Sequence, residues 1–429
     1  MAHTILGIDL GTESVKVAHL SAGFRRIQLL ALYERALAPG PVVPPPAIAA
    51  AVTPAGEDAA SATAPGEPPP VPSGPSLLDR QLDALAALVR EHNLRPEVTA
   101  VALRDAVTLR LLTLPLADPK KLEQVLPYEL EGLTLAELDE QIITHTVAQS
   151  GVLTESGPEG SRLLSATAPR LVGEELIDRL TALGLEPRLI GAEALAPAGL
   201  LVGTDLQLPL GWPLTSEPST ATPTAAEPGV GRPPLPVVVL DIGAESTQVC
   251  VAAPRRPDGP RGRSDAGLAA TFARTMGRGG RQLTAVLARA LKLPLADAEA
   301  WKRAVGLLEH DPNGMGELDP EQAAMRARVA TVLRDALRPF LRDLRQTLAS
   351  YATEYGEAPR ALLLTGGGSL LPGLVAHLEE ALELPVAPLR IARAPWLLRE
   401  PAAIGGWPTD LGDPPALAGF TRGALALSL

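Results

Sequence analysis

One short phrase occurs twice in this chain and limits the fold more than any other feature. Asp9-Leu10-Gly11-Thr12-Glu13-Ser14 lies near the start, and Asp241-Ile242-Gly243-Ala244-Glu245-Ser246 lies past the middle. Each follows an aliphatic run (Ile5 to Ile8; Val237 to Leu240). Each leads into alternating apolar residues, Val15 and Val17 in one case, Val249 and Val251 in the other. Strand, tight glycine turn and strand make a β-hairpin with a carboxylate at its mouth. A repeat at so wide a spacing marks a duplicated half-molecule, not a solenoid. The pattern predicts two related halves facing each other across a cleft.

The 429 residues are enough for two or three domains. With 46% hydrophobic but only 3% aromatic residues, the core must be built mainly of Leu, Ala and Val. A formal net charge of -11 argues against a nucleic-acid partner, because neutralising phosphates takes clustered Lys and Arg. The single cysteine, Cys250, alternates with Val249 and Val251 and reads as a small buried strand residue, not a nucleophile. The six histidines show no metal-ligand spacing. Met1-Ala2-His3-Thr4 carries no basic leader pattern and no stretch reaches membrane-span length, so the expected location is the cytoplasm.

Ala38 to Ser76 and Thr204 to Pro236 consist largely of Pro, Ala, Gly, Ser and Thr, and are expected to be disordered inserts. The remainder reads as α/β. Strands are expected over 4–10, 14–21 and 26–35. Ser76 caps a helix through Glu91 with Leu78, Leu82, Leu85 and Val89 on one face. Strands near 97–104 and 106–114 follow. The next helix is opened by Asp118-Pro119 and closed near Gly132, with Pro127 expected to kink it or end it early. Strands near 139–149 and 161–168, a helix over 170–183, a strand over 187–190 and a helix over 192–201 complete this half. The second half reads as a hairpin from 236, a strand over 268–276, a helix over 280–292 and a long helix over roughly 320–355. A strand over 360–365 enters Gly366-Gly367-Gly368-Ser369. Helix 371–383, strand 385–389 and helix 414–427 close the chain.

A turn at Gly11-Thr12 offers consecutive backbone N–H groups, a concavity that binds anions, notably phosphate. Thr12 and Ser14 add hydroxyl donors, and Lys16 supplies a point charge for a phosphate oxygen. Asp9, at the strand end, is placed to hold Mg²⁺ through water, since that ion keeps much of its hydration shell. Asp241, with Gly243, Ser246 and Thr247, mirrors this set from the opposite side. Three glycines after a strand let backbone approach a base or ribose with no Cβ in the way. Each motif alone is as consistent with an ordinary turn; their order along the chain is what is specific.

That order resembles the actin-like ATPase superfamily (actin, Hsp70, sugar kinases, FtsA). Residues 5–18 resemble its first phosphate motif, 237–251 its second, and Leu362 to Leu374 its adenosine motif. Gly279-Gly280-Arg281-Gln282-Leu283-Thr284 resembles the segment opening a helix of the second half. Gly191-Ala192-Glu193 and Ala416 to Leu427 resemble the two connectors. Leu112-Thr113-Leu114-Pro115, Leu122 to Glu131 and Ala298-Glu299-Ala300-Trp301-Lys302 are similar to stretches of PilM and of the cytoplasmic part of GspL. The Leu-Pro-Tyr-Glu-Leu-Glu stretch inclines the reading towards the secretion branch. Trp301 is read as a packing residue before an adenine platform.

The resemblance implies an α/β, actin-like (ribonuclease-H-like) fold: two similar halves around a cleft, with a small FtsA/PilM-type inserted subdomain. The expected division is 1–202 for the first half (insert 38–76; inserted subdomain about 96–168), 203–235 for a Pro-rich linker and 236–429 for the second half. It implies ATP and Mg²⁺ held by Asp9, Gly11, Thr12, Ser14, Lys16, Asp241, Gly243, Ser246, Thr247, Gly280, Lys302, Gly366, Gly367 and Gly368, with the two aspartates on the metal through water. Glu193, the one carboxylate of the first connector, is the candidate to orient a hydrolytic water. It further implies a cytoplasmic scaffold peripheral to the inner membrane, or the cytoplasmic portion of a single-span protein, serving a type IV pilus or a type II secretion system. The implied partners are the short cytoplasmic tail of a PilN/GspM-like platform protein, a GspE/PilB-like assembly ATPase and a second copy of the chain. An actin-fold phosphotransferase of the sugar-kinase type is the alternative. Such an enzyme needs an aspartate base for its acceptor hydroxyl, and no carboxylate stands in an equivalent context.

Overall fold

Two sheets of the same design carry the two repeats. The computed structural model describes residues 3–23, 26–38, 75–104, 106–134, 137–154, 157–201, 205–209, 211–212, 230–254, 268–309 and 320–393. In the first half the elements are β1 (His3–Leu10), β2 (Ser14–Gly23), β3 (Arg26–Ala36), α1 (Leu77–Glu91), β4 (Val98–Leu103), β5 (Thr108–Leu114), α2 (Pro119–Glu131), β6 (Gln141–Thr154), β7 (Gly157–Pro169), α3 (Arg170–Ala182), β8 (Pro187–Ala192) and α4 (Ala196–Leu201). Two short strands follow, β9 (Asp205–Gln207) and β10 (Val230–Gly231). The second half has β11 (Val237–Ile242), β12 (Thr247–Pro254), β13 (Leu268–Met276), α5 (Gly280–Leu291), α6 (Leu295–Val305), α7 (Pro320–Tyr355), β14 (Ala361–Thr365), α8 (Leu374–Leu382), β15 (Val386–Pro388) and β16 (Ile391–Arg393).

The first half's sheet has the order β3-β2-β1-β4-β8 and the second half's the order β13-β12-β11-β14-β15. In both, three antiparallel strands continue into two parallel ones. Strand alternation then decides where the aspartates point. Leu6, Ile8 and Leu10 of β1 pack on α1 and α3, with Leu82, Leu85, Leu88, Leu176 and Leu180. Val238, Leu240 and Ile242 of β11 pack on the helices of their own half. The other faces share one core, in which Ala18, Leu20, Val237, Val239, Cys250, Ala198 and Leu201 meet. Asp9 lies in phase with Ile5, and Asp241 with Val237 and Val239, so both carboxylates sit on the sheet faces turned toward the other half.

Several expectations are corrected. Pro127 does not end its helix, because α2 runs from Pro119 to Glu131 with Leu122, Leu126 and Leu130 all buried. That apolar stripe, packed on the insert, outweighs the one backbone hydrogen bond a proline removes. β4 pairs with β1 in the main sheet, so the inserted unit begins with β5 and comprises α2 and the sheet β5-β7-β6. The Pro-rich interval 203–235 is not linker alone, because it supplies β9 and β10, which join β16 in a three-stranded sheet; Leu206 and Leu208 are buried in the shared core. Strands this short carry no periodicity, and α6 (Leu295–Val305) is a further helix that the structure adds. Residues 39–74 and 213–229 and the expected connector helix 414–427 lie outside the described residues.

Candidate functional site

The cleft is lined by the two repeated turns, the end of β4, the start of the 193–195 helical turn and the glycines after β14. The first turn needs glycine for space: a Cβ on Gly11 would lie 2.6 Å from the Ser14 carbonyl oxygen. The turn is pinned from α1 by Gln81, whose buried side-chain amide donates to the carbonyls of Leu10 (2.8 Å) and Gly11 (3.0 Å). Asp9 is buried, and its Oδ1 has no hydrogen-bond partner among the described residues. Lys16 stands directly opposite Asp9 in the β1–β2 ladder and opposite Glu34 in the β2–β3 ladder. Ser14 donates to Glu34 of β3 at 2.5 Å, so its hydroxyl is engaged within the sheet.

The second turn repeats this shape with different chemistry. Gly243 N–H donates to the Ser246 carbonyl (3.0 Å), and a Cβ on Gly243 would lie 2.9 Å from that oxygen and 2.5 Å from Nη1 of Arg104. The Ser246 hydroxyl is buried without a partner among the described residues, whereas Thr247 donates to the Arg278 carbonyl at 2.7 Å. Gly280 N–H and Arg281 N–H, the first amides of α5, donate to the carbonyls of Gly243 (2.9 Å) and Ala244 (2.8 Å). The helix N-terminus is thereby capped by the turn. Lys302 reaches back from α6 to the Gly280 carbonyl (3.1 Å), the Thr284 hydroxyl (2.8 Å) and Glu299 (2.6 Å). It locks α6 onto α5 and is mostly buried; Trp301 packs beside it against the same core.

Glu193, Asp241 and the triple glycine meet at one point. Gly366 has φ +84°, and a Cβ there would overlap Asp241 Oδ1 and lie 2.6 Å from the Ile242 carbonyl oxygen. Gly368 likewise sits against Ile242, while Gly367 has open space. Arg104, at the end of β4, joins the two carboxylates: its Nε donates to Glu193 Oε2 at 2.6 Å, its Nη2 donates to Glu193 Oε1, and the same Nη2 lies 3.7 Å from Asp241 Oδ2. Arg104 and Gln81 are the two residues that the motifs did not point to. Gln81 is a polar residue on an apolar helix face, a signal that was readable; Arg104 had none. At the rim, Arg281 binds both Glu13 and Glu245. Of the sequence-derived set, Asp241, Gly243, Glu193 and Gly366–Gly368 converge. Asp9, Gly11 and Lys16 belong to the facing turn, and Thr12 stands at its half-buried tip. Ser14, Thr247, Gly280 and Lys302 make structural bonds within their own halves.

Of the polar groups at the two turns, the buried Ser246 hydroxyl is without a partner among the described residues, as a donor awaiting an anion would be. The two aspartates differ as sites for Mg²⁺: Asp9 keeps a buried oxygen without a partner among the described residues, but Asp241 already lies beside a guanidinium. Among the described residues no group of three or more His, Cys, Asp and Glu side chains is arranged to hold a metal, and no helix is long and apolar enough to cross a membrane.

This sheet pair, with its connector and two hairpins, defines an actin-like fold. Residues 238–404 match the family model of cell division protein FtsA. Over its whole length the chain is similar to a chain of the PilM–PilN type IV pilus biogenesis complex, at 20% identity and a TM-score of 0.61, covering 99% of this chain and 97% of that one. Two looser likenesses are to MreB 5 of Spiroplasma citri bound to AMPPNP (14% identity, TM-score 0.41, 90% and 91% covered) and to the cytoplasmic domain of EpsL, an inner-membrane component of the type II secretion system of Vibrio cholerae (13%, 0.31, 64% and 71%). No curated protein matches the chain in sequence.

Proposed function

We propose that this chain is a PilM-like actin-fold scaffold of an inner-membrane assembly platform, holding a nucleotide in its cleft with little or no turnover. The observation that carries the reading is the end-to-end likeness to a chain of the PilM–PilN complex. It favours the pilus branch over the secretion branch to which Leu-Pro-Tyr-Glu-Leu-Glu inclined. The low turnover is supported by Glu193, which is 2% exposed and held bidentately by Arg104. A carboxylate so engaged is poorly placed to orient an attacking water.

The partner in this reading is the short cytoplasmic tail of a PilN-like membrane protein, with a PilB-like assembly ATPase and a second copy of the chain as further contacts. A tail in extended form gains main-chain hydrogen bonds at a sheet edge, and β5 and β6 are the two edges of the inserted sheet. The same unit exposes Tyr128 and Leu153. Titration calorimetry with a synthetic PilN-type tail tests this: binding is expected, weakened by Tyr128→Ala or Leu153→Ala, and its absence would remove the partner assignment. For the cleft, ATP at about 100 times Kd should add about 2.7 kcal/mol to stability. A thermal scan without any shift, and with Asp9→Ala matching the parent, would mean that the cleft holds no nucleotide.

A further inference from the structure

We infer that Arg104 is the resident cation of the cleft, supplying at Asp241 the charge that a divalent ion would otherwise bring, so that a nucleoside polyphosphate binds here without a divalent metal. The inference rests on the nucleotide reading above and goes beyond it by naming what neutralises the ligand. Three carboxylates, Asp9, Glu193 and Asp241, line the cleft, none more than 6% exposed. A polyphosphate laid against buried carboxylates is repelled unless positive charge stands between them. Arg104 stands there. Its side chain is 10% exposed, it arises from the first half, it grips Glu193 with two donors, and it faces Asp241 of the second half at 3.7 Å.

Two neighbours fix this arrangement. The guanidinium lies against the backbone of the second turn, so close that a Cβ on Gly243 would fall 2.5 Å from Nη1. That is the turn that carries the buried Ser246 hydroxyl, unengaged among the described residues. On its other side Asp241 is boxed by Gly366, where any side chain would overlap Oδ1. The carboxylate therefore has little room to swing away and take a different cation. A hydrated Mg²⁺ insists on near-octahedral geometry and keeps several waters; at Asp241 it would have to displace the guanidinium from between Asp241 and Glu193. A guanidinium is permanently charged, so it supplies its positive charge beside Asp241 at any working pH. Lys16 stands opposite Asp9 in the β1–β2 ladder and brings a second cation to the first turn's side.

The test is ATP affinity measured by titration calorimetry on the full chain, once with excess chelator and once with Mg²⁺, for the parent, Arg104→Ala and Arg104→Gln. Parent affinity in the two buffers should agree within about threefold, while both variants should lose about tenfold or more in chelator, the scale of a lost charge-assisted contact. Mg²⁺ should restore much of the variants' loss by entering the vacated place beside Asp241. Parent binding that requires Mg²⁺ would overturn the inference and leave the nucleotide reading standing. Binding in neither buffer would overturn both. Should either variant unfold, as judged by its thermal transition, the two-buffer comparison on the parent still decides.

Discussion

Glu13 and Glu245 hold the same position in the two repeated turns, and a single guanidinium, that of Arg281, binds both. Arg281 is placed for this by its own backbone, because its N–H, in the first turn of α5, donates to the Ala244 carbonyl. The sequence repeat thus becomes a physical pairing. One half's turn is tied to the other's across the cleft mouth, while Arg104 ties the halves deeper in.

The rim clasp should be weak in energy and strong in its local effect. All three side chains are well exposed, and exposed ion pairs contribute about 0–1 kcal/mol and are screened by salt. Arg281→Ala should therefore change global stability by no more than about 1 kcal/mol. Amide hydrogen exchange at 11–14 and 243–246 should nonetheless quicken, and high salt should produce the same change in the parent. Unaltered exchange at both turns would show that the clasp does not hold them.

The three consecutive glycines should respond unequally. Gly366 combines φ +84° with a Cβ position that overlaps Asp241, and Gly368 would press on Ile242, whereas a Cβ on Gly367 meets nothing within 4 Å. Gly366→Ala should cost at least about 1–3 kcal/mol in backbone strain, with displacement of Asp241 added to it. Gly367→Ala should be close to neutral in urea unfolding. Equal losses at both positions would mean that the turn acts as flexible backbone instead of as a shaped wall.

How much of this was readable in the sequence depends on the range of the contacts. The aspartates and their turns were legible because each motif is local: an aliphatic strand, a glycine that only a tight turn requires, another strand. Ser76 and Asp118 were legible as helix caps for the same reason, and the structure shows both capping. Arg104 was not legible, since its bond to Glu193 spans 89 residues and exists only because β4 lies beside β8 in the sheet. The resemblance of Lys302's neighbours to an adenine-side stretch says nothing of its bonds inside the fold, whereas its i,i+3 spacing from Glu299 makes the ion pair on α6 readable from the sequence.

Cys250 should behave as a masked thiol. It is fully buried in the core shared by the halves, and burial pushes its pKa up to about 12. The reactive thiolate is therefore absent near neutral pH. An aromatic disulfide reagent at mildly alkaline pH should leave the native chain unmodified and label it once urea has unfolded it. Cys250→Ser, which buries a hydroxyl among apolar side chains, should cost about 1–3 kcal/mol. Rapid labelling of the native chain would place the thiol at a mobile surface.

The junction of α5 and α6 should be the acid-sensitive part of the second half. Burial pushes the Glu299 carboxyl up, but hydrogen bonds from Lys302 (2.6 Å), Thr284 (2.5 Å) and Arg303 (2.7 Å) outweigh it and hold the group down to about 2. A carboxyl lowered on folding binds fewer protons in the native than in the unfolded chain between its two pKa values, so stability falls as the pH drops through that window. The contribution of Glu299 should be complete above about pH 4.5 and fade as the pH approaches about 2. Urea midpoints for the parent and Glu299→Gln, compared across that range, give the readout. The parent's advantage should be largest near neutrality and shrink steadily with acidification, because the amide introduced by Glu299→Gln has no proton to take up. A pH-independent gap between the two curves would show that Glu299 supports the junction through packing and not through its charge, and the lock Lys302 forms on Gly280 would then have to stand without it.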